Sequence, residues 1–255
     1  MISSPALRRP RLAADPLAFL AQARLFGDIP RPETRAELAR HAQRLPAARG
    51  QIVYGRARPA EGVYVVVTGN VSLGAQENRA AEKVVEICGA GESFGEECLF
   101  GEPGALTARA VSGGLLVLLP RAALLSTLER DPAVARALLA SLSRKVAQAT
   151  RQIGGAAARS GQQRLIGYLL QQLEPRHHGA AVVALSVPKR IVASLLGLSK
   201  ETLSRQLALL AERGLIEVKG RVIGIKDVDA LAALCHAGAG CTGCAGCPRG
   251  DAYTA

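Results

Sequence analysis

Apolar and polar positions along this chain change their period twice. "DPLAFLAQARLF" (15–26) and "PETRAELARHAQRL" (32–45) carry helical spacing, and in the second Leu38, Ala42 and Leu45 share a face. From residue 50 the text alternates short β-branched runs with Gly, Asn and Pro punctuation, as in "GQIVYGRARPAEGVYVVVTGNVSLGA". The same rhythm continues through "EKVVEICGAGESFGEECLFGEPGALTARAVSGGLLVLLP" to Pro120. Short strands at this spacing predict an all-β sandwich or jelly roll. After Pro120 the helical period returns.

Asp131 and Pro132 supply an N-cap and a first-turn proline. Leu138, Leu142, Val146, Ala149 and Ile153 then recur at steps of four and three, a narrow stripe suited to a two-helix seam; a helix lying on its own domain's core is the alternative. Gly154-Gly155 marks either a break or a close helix approach. Ser160-Gly161-Gln162-Gln163 has the form of a capping box, opening a helix that runs to about Leu173. "EPRHHGA" (174–180) reads as a polar surface loop, so His177 and His178 are not taken as metal ligands.

The stretch 188–226 carries the most chemistry. Ile191, Val192 and Leu195 bury one side of a short helix, Gly197 sits at the turn, and Ser199 caps a second helix whose buried face is Leu203, Leu207 and Leu210. That burial aims Lys200, Glu201, Ser204 and Arg205 outward, with Thr202 beside them. These are the positions that reach base edges when a helix-turn-helix enters the major groove. Arginine can donate two hydrogen bonds to guanine, and glutamate can accept from the cytosine amino group. "LIEVKGRVIGIKD" reads as a two-stranded wing whose Lys219 and Arg221 can meet phosphates.

Here a family resemblance enters. "LSKETLSRQLALLAERGLI" resembles the recognition region of the CRP/FNR family of bacterial transcription regulators. "ARGQIVYGRARPAEGVYVVVTGNVSL" is similar to the opening strands of that family's cyclic-nucleotide-binding-type jelly roll, and "GESFGEECLFGEP" to its phosphate cassette. The resemblance runs from about Leu25 to Leu231. It implies an α+β architecture: an N-terminal cyclic-nucleotide-binding-type β jelly roll, a long dimerisation helix and a C-terminal winged helix-turn-helix. The expected divisions are a leader (1–24), a sensor domain (25–130), the dimer helix (131–158), the DNA-binding domain (159–233) and a cysteine-rich tail (234–255). It also implies a homodimer on a palindromic duplex, with RNA polymerase as a further partner. Glu201, Ser204 and Arg205 match the Glu-x-x-Ser-Arg pattern of the FNR branch, which points to TTGAT-like half-sites.

Charge and cysteine usage refine the picture. The formal charge of +11 on 255 residues favours acidic partners, nucleic acid first. No apolar run is long enough for a signal peptide or a membrane span, so a cytoplasmic location without membrane partners is expected. Neither a dinucleotide fingerprint nor a catalytic dyad is present, so an enzyme is not expected.

Four of the six cysteines crowd into "CHAGAGCTGCAGCP" (235–248). Cys235, Cys241, Cys244 and Cys247 follow C-x5-C-x2-C-x2-C spacing, and clustered thiols in a reducing compartment read as ligands before disulfides. A single compact run followed by proline suits a [4Fe-4S] cluster; tetrahedral Zn2+ is the alternative, then a thiol switch or a disordered tail. His236 stands ready to replace one thiolate. Some family members carry cluster cysteines at the C-terminal end, and this arrangement looks like theirs.

Cys88 and Cys98 read as buried small residues. Gly95 and Glu96 match the cassette's Gly-Glu, but Gly104 falls where cyclic-AMP-binding members carry an arginine. Arg109 is the substitute at some distance. Cyclic AMP is therefore not the expected effector. The competing reading is a regulator responsive to a cyclic nucleotide or another small molecule, its tail holding structural zinc or nothing.

Overall fold

Two uninterrupted apolar runs, "GVYVVVT" and "GLLVLLP", organise the first half of the molecule, because the sheet they share is covered on both faces. The computed structural model describes residues 23–27, 29–56, 58–78, 81–100, 106–158, 160–173 and 181–236. In the first half these form α1 (Arg24–Gly27), α2 (Pro32–His41), β1 (Gln43–Ala47), β2 (Ile52–Tyr54), β3 (Gly62–Thr68), β4 (Val71–Asn78) and β5 (Ala81–Cys88). Then come β6 (Ser93–Phe94), a 3-10 turn (Glu96–Cys98), β7 (Leu106–Ala110), β8 (Gly114–Pro120), α3 (Arg121–Arg130) and α4 (Pro132–Ala158). The chain divides into two units, residues 1–144 and 145–255, with the boundary inside α4.

In the first unit, two four-stranded antiparallel sheets have the orders β1-β8-β3-β6 and β2-β7-β4-β5. Residues from both sheets share one core, among them Tyr54, Tyr64, Leu73, Phe94, Ala108 and Leu118. A second core lies on the other face of the first sheet, where Val63, Val65, Val117 and Leu119 meet Leu25, Phe26, Leu38, Leu124 and Val134 from the helices. Alternate residues of β3 and β8 thus feed different cores. Burial on both faces is why their sequence reads as continuous apolar runs without alternation. This is the expected jelly roll with its flanking helices.

Some expectations need correction. The helix expected over 32–45 ends at His41, and Leu45 lies in β1, directly opposite Leu116 of β8. Pairing along β8 wins over helical phase because it adds a fourth strand, and Pro46 is tolerated since β1 lies at the sheet edge. Of the helix expected over 15–26, α1 is the described part, and 15–22 lie outside the described residues. The 27-residue α4 runs unbroken through Gly154-Gly155.

Asp131 caps α4 as expected, accepting from the Ala133 amide at 3.0 Å, and is itself buried. Thr34 donates to its other carboxylate oxygen at 2.6 Å. These bonds, the threonine's first, hold the carboxyl below the usual carboxylate range. The apolar stripe of α4 divides by face. Val134, Ala137 and Leu138 pack into the unit's own core, whereas Leu139 and Val146 are 63% and 64% exposed. The outward seam therefore begins at Leu139, not Leu138, since adjacent helix positions lie about 100° apart. It continues through half-buried Leu142 to Val146 and exposed Ala149.

Candidate nucleic-acid interface

The second unit comprises α5 (Gly161–Gln171), β9 (Ala181–Ala184), α6 (Lys189–Leu195), α7 (Lys200–Glu212), β10 (Ile216–Lys219), β11 (Val222–Ile225) and α8 (Val228–His236). The capping box opens α5 as predicted. Ser160 Oγ accepts from the Gln163 amide, and Gln163 Oε1 accepts from the Ser160 amide at 2.8 Å. Leu165, Ile166 and Leu169 of α5, Val192 of α6 and Leu203, Leu207 and Leu210 of α7 are all buried, giving each helix one inward face.

The turn between α6 and α7 is built by backbone chemistry. The Gly197 amide donates to Ser194 O and the Leu198 amide to Ala193 O, the paired bonds of a Schellman motif. Gly197 has φ +62°, and nothing beyond the adjoining chain lies within 4 Å of where its Cβ would be. Its requirement is therefore conformational rather than steric. Gly197→Ala should lower stability by about 1–2 kcal/mol, the left-handed penalty for an L-residue, without displacing any neighbour. Denaturant unfolding of the purified variant checks this; an unchanged midpoint would contradict it.

Ser199 then caps α7, its Oγ accepting from the Thr202 amide at 3.0 Å. Ser199 also donates its hydroxyl proton to Thr202 Oγ1 at 2.9 Å, so the Thr202 hydroxyl is engaged in the cap and its residue is half-buried. Lys200, Glu201, Ser204 and Arg205 are all exposed, on the face opposite Leu203, Leu207 and Leu210. The helix presents four polar side chains of three chemistries within its first turn and a half. The positive end of its dipole lies at the same terminus.

The wing differs from expectation in one respect. β10 and β11 form the hairpin, with Lys219 opposite Val222, but β9 adds a third antiparallel strand alongside β11. "AVVA" is too short and unpunctuated to read as a strand alone; Ile223 and Val183, both buried, are partners only through the fold. Lys219 Nζ lies 2.7 Å from Glu217 Oε1, and this contact holds the Glu217 carboxyl below its ordinary range. Arg221 is exposed at the hairpin tip.

The sensor-domain residues are not brought together as one pocket. Gly95 and Glu96 are buried; Glu96 accepts from Ser93 Oγ and, at 3.4 Å, from Ser141 Oγ of α4. Arg109 stands between inward-facing Ala108 and Ala110 on β7, so it points outward, its Nη1 donating to Gly50 O at 3.2 Å. Gly104 lies outside the described residues. Behind Glu96 the interior is filled by Phe94, Tyr64 and Tyr54, and the Tyr54 hydroxyl donates to Glu97 at 2.8 Å. Burial, more than the Glu97 charge, raises that phenol far above its usual range. Cys88 and Cys98 are buried, as expected.

Of the tail cysteines, Cys235 lies on the last turn of α8 and is 1% exposed; Cys241, Cys244 and Cys247 lie outside the described residues. Among the described residues no three His, Cys, Asp or Glu side chains stand together as a metal site, and no helix is long and apolar enough to cross a membrane.

Comparisons agree with this geometry. The Crp-like helix-turn-helix domain family matches residues 163–234, and the cyclic nucleotide-binding domain family matches 44–131. The nitrogen fixation regulation protein FixK of Azorhizobium caulinodans is 30% identical, over 81% of this chain and 87% of its own. The CRP-like cAMP-activated global transcriptional regulator of Mycobacterium tuberculosis is 28% identical, over 84% of this chain and 97% of its own. The solved structure of FixK2 from Bradyrhizobium japonicum superposes with a TM-score of 0.68 at 28% identity, covering 76% of this chain and 96% of that one. Matched in both units and carrying an exposed polar face on a capped recognition helix, the chain belongs to the CRP/FNR family and is a DNA-binding transcription regulator of that type.

Proposed function

We propose that this regulator binds a palindromic, TTGAT-like duplex as a homodimer and is switched by a [4Fe-4S] cluster held by its C-terminal cysteines. The dimer would form along the outward α4 seam of Leu139, half-buried Leu142, Val146 and Ala149. In each subunit Arg205, Glu201 and Ser204 would read base edges, and Lys200, Lys219 and Arg221 would meet phosphates. RNA polymerase is the expected partner on promoter DNA.

The single observation that carries the switching half is the donor set. Four thiol side chains within thirteen residues, two gaps being two residues long, can converge on one centre, and the intervening glycine and alanine let the backbone wrap closely. Cys235 begins this set at the root of the tail, on a helix packed against α5. When bound, such a cluster supplies sensitivity to oxygen or nitric oxide, which dismantle it. A tenfold change in operator affinity needs about 1.4 kcal/mol of coupling.

Oxygen-free purification followed by iron and sulfide determination, with operator binding measured alongside, tests the reading. The expected result is coloured protein with equal iron and sulfide, and loss of both in the variant with all four tail cysteines changed to serine. Colourless protein with stoichiometric zinc would overturn it, as would identical operator affinity in that variant.

A second reading, response to a cyclic nucleotide, is favoured by the M. tuberculosis relative, which is described as cAMP-activated. Glu96 bonded internally to Ser93 and Ser141, together with an outward Arg109, weighs against it here. Titrating cyclic AMP against operator binding separates the two.

A further inference from the structure

The first turn of α5 touches the root of the cysteine tail and the helix-turn-helix turn at once. Gln163 uses both ends of its side chain. Oε1 accepts from the Ser160 amide at 2.8 Å, closing the capping box, while Nε2 donates to Cys235 O at 3.3 Å. Cys235 O lies near the end of the described part of α8, so Gln163 also ties its side chain to that helix. The contact is returned: the Cys235 thiol donates to Gln163 O at 3.8 Å.

The same turn grips the DNA-reading element. Arg164 Nε donates to Leu196 O at 2.9 Å, a carbonyl in the α6–α7 turn. Gly161 lies so close to Leu198 that a Cβ there would stand 2.8 Å from Leu198 Cδ2. Leu198 directly precedes Ser199, the cap of α7. One helical turn, residues 160–164, therefore joins the start of the tail to the start of the recognition helix.

We propose that Gln163 is the positioning residue through which the state of the tail reaches α7, an inference that rests on the cysteine-tail reading above. A rearrangement that draws the last turn of α8 away, taking the Cys235 thiol toward other tail donors, removes the acceptor of Gln163 Nε2 and the donor to Gln163 O. The side chain that closes the α5 cap then loses its second anchor. The turn carrying Arg164 and Gly161 shifts with it, and Leu196–Ser199 follows. No separate signalling element is needed, because every contact in the path is one or two residues from the next.

Gln163→Glu isolates the link. A carboxylate at this position still accepts from the Ser160 amide, as in the Ser-x-x-Glu capping box, but has no N–H to offer Cys235 O. Operator affinity is to be compared between protein reconstituted with ferrous iron and sulfide and the same protein after chelation. Amide hydrogen exchange over 161–164 and 196–199 is read in both states.

For the unsubstituted protein the two states should differ on the order of tenfold in affinity, the usual scale of coupling between linked sites. In Q163E that ratio should collapse toward one, because the metal-free affinity moves to the value of the iron-loaded protein, and exchange at 196–199 should cease to depend on iron, with the α5 cap still closed. Ser160→Ala, which weakens the cap and leaves the Cys235 contacts, should lower stability yet keep the ratio. If Q163E kept the full ratio and the iron-dependent exchange, the inference would be wrong while the cysteine-tail reading stood. Were the unsubstituted protein itself indifferent to iron, that reading would fall, and this one with it.

Discussion

Replacing Arg205 with alanine is expected to erase discrimination between operator and unrelated duplex while leaving the fold intact. Arg205 is exposed one turn into α7, on the face opposite buried Leu203, Leu207 and Leu210, so its loss opens no cavity. A bidentate arginine–guanine pair contributes about 1–3 kcal/mol of discrimination, and the proposed dimer on a palindrome would make the contact twice. The sum, about 2–6 kcal/mol, corresponds to a loss of roughly 30- to 20,000-fold in the specificity ratio. The measurement is the ratio of dissociation constants for operator and scrambled duplex at one fixed salt concentration. Non-specific binding should fall far less, because the phosphate contacts proposed for Lys200, Lys219 and Arg221 do not involve Arg205. An unchanged ratio would mean that the base-reading side chains lie elsewhere on the helix.

Phe94→Ala should act on stability as strongly as R205A acts on recognition. Phe94 is fully buried between the two sheets, its ring stacked on Tyr64 at 5.2 Å and on Tyr54 at 6.0 Å. Removing it forfeits the transfer free energy of the ring and leaves a void that two large, sheet-anchored tyrosines cannot readily close. Phenylalanine-to-alanine changes at such sites cost about 3–5 kcal/mol, a large share of the 5–15 kcal/mol that keeps a typical domain folded. The loss should appear as an earlier denaturant midpoint for the sensor unit, with Phe94→Leu much milder. A midpoint shift worth less than about 1 kcal/mol would show that the trio is not the keystone of that core.

What was legible in the sequence follows how local its physics is. The recognition helix could be read directly because its cap, its buried leucines and its outward polar residues all lie within thirteen positions, and the α5 capping box spans only four. The β1 strand could not, since Leu45 shares helical phase with Leu38 and becomes a strand residue only by pairing with Leu116, some seventy positions away. Nor could β9, whose four apolar residues acquire meaning from Ile223 beside them. The apolar stripe of α4 shows the same limit on a finer scale. Spacing announced a seam on α4, but a core assembled from α2, α3 and the sheet decided that Leu138 turns inward and Leu139 outward.

The sequence by itself determined the period of most segments, the caps that start α4, α5 and α7, the chemistry offered to DNA and the thiol spacing of the tail, because each depends on neighbours a few residues apart. Only the tertiary structure decided which face of each element is buried. It sealed Glu96 under Ser93 and Ser141, turned Arg109 away, and set Gln163 between Cys235 and the turn before α7. Those outcomes come from pairing and close packing between segments far apart along the chain, where geometry rather than residue type selects the partner.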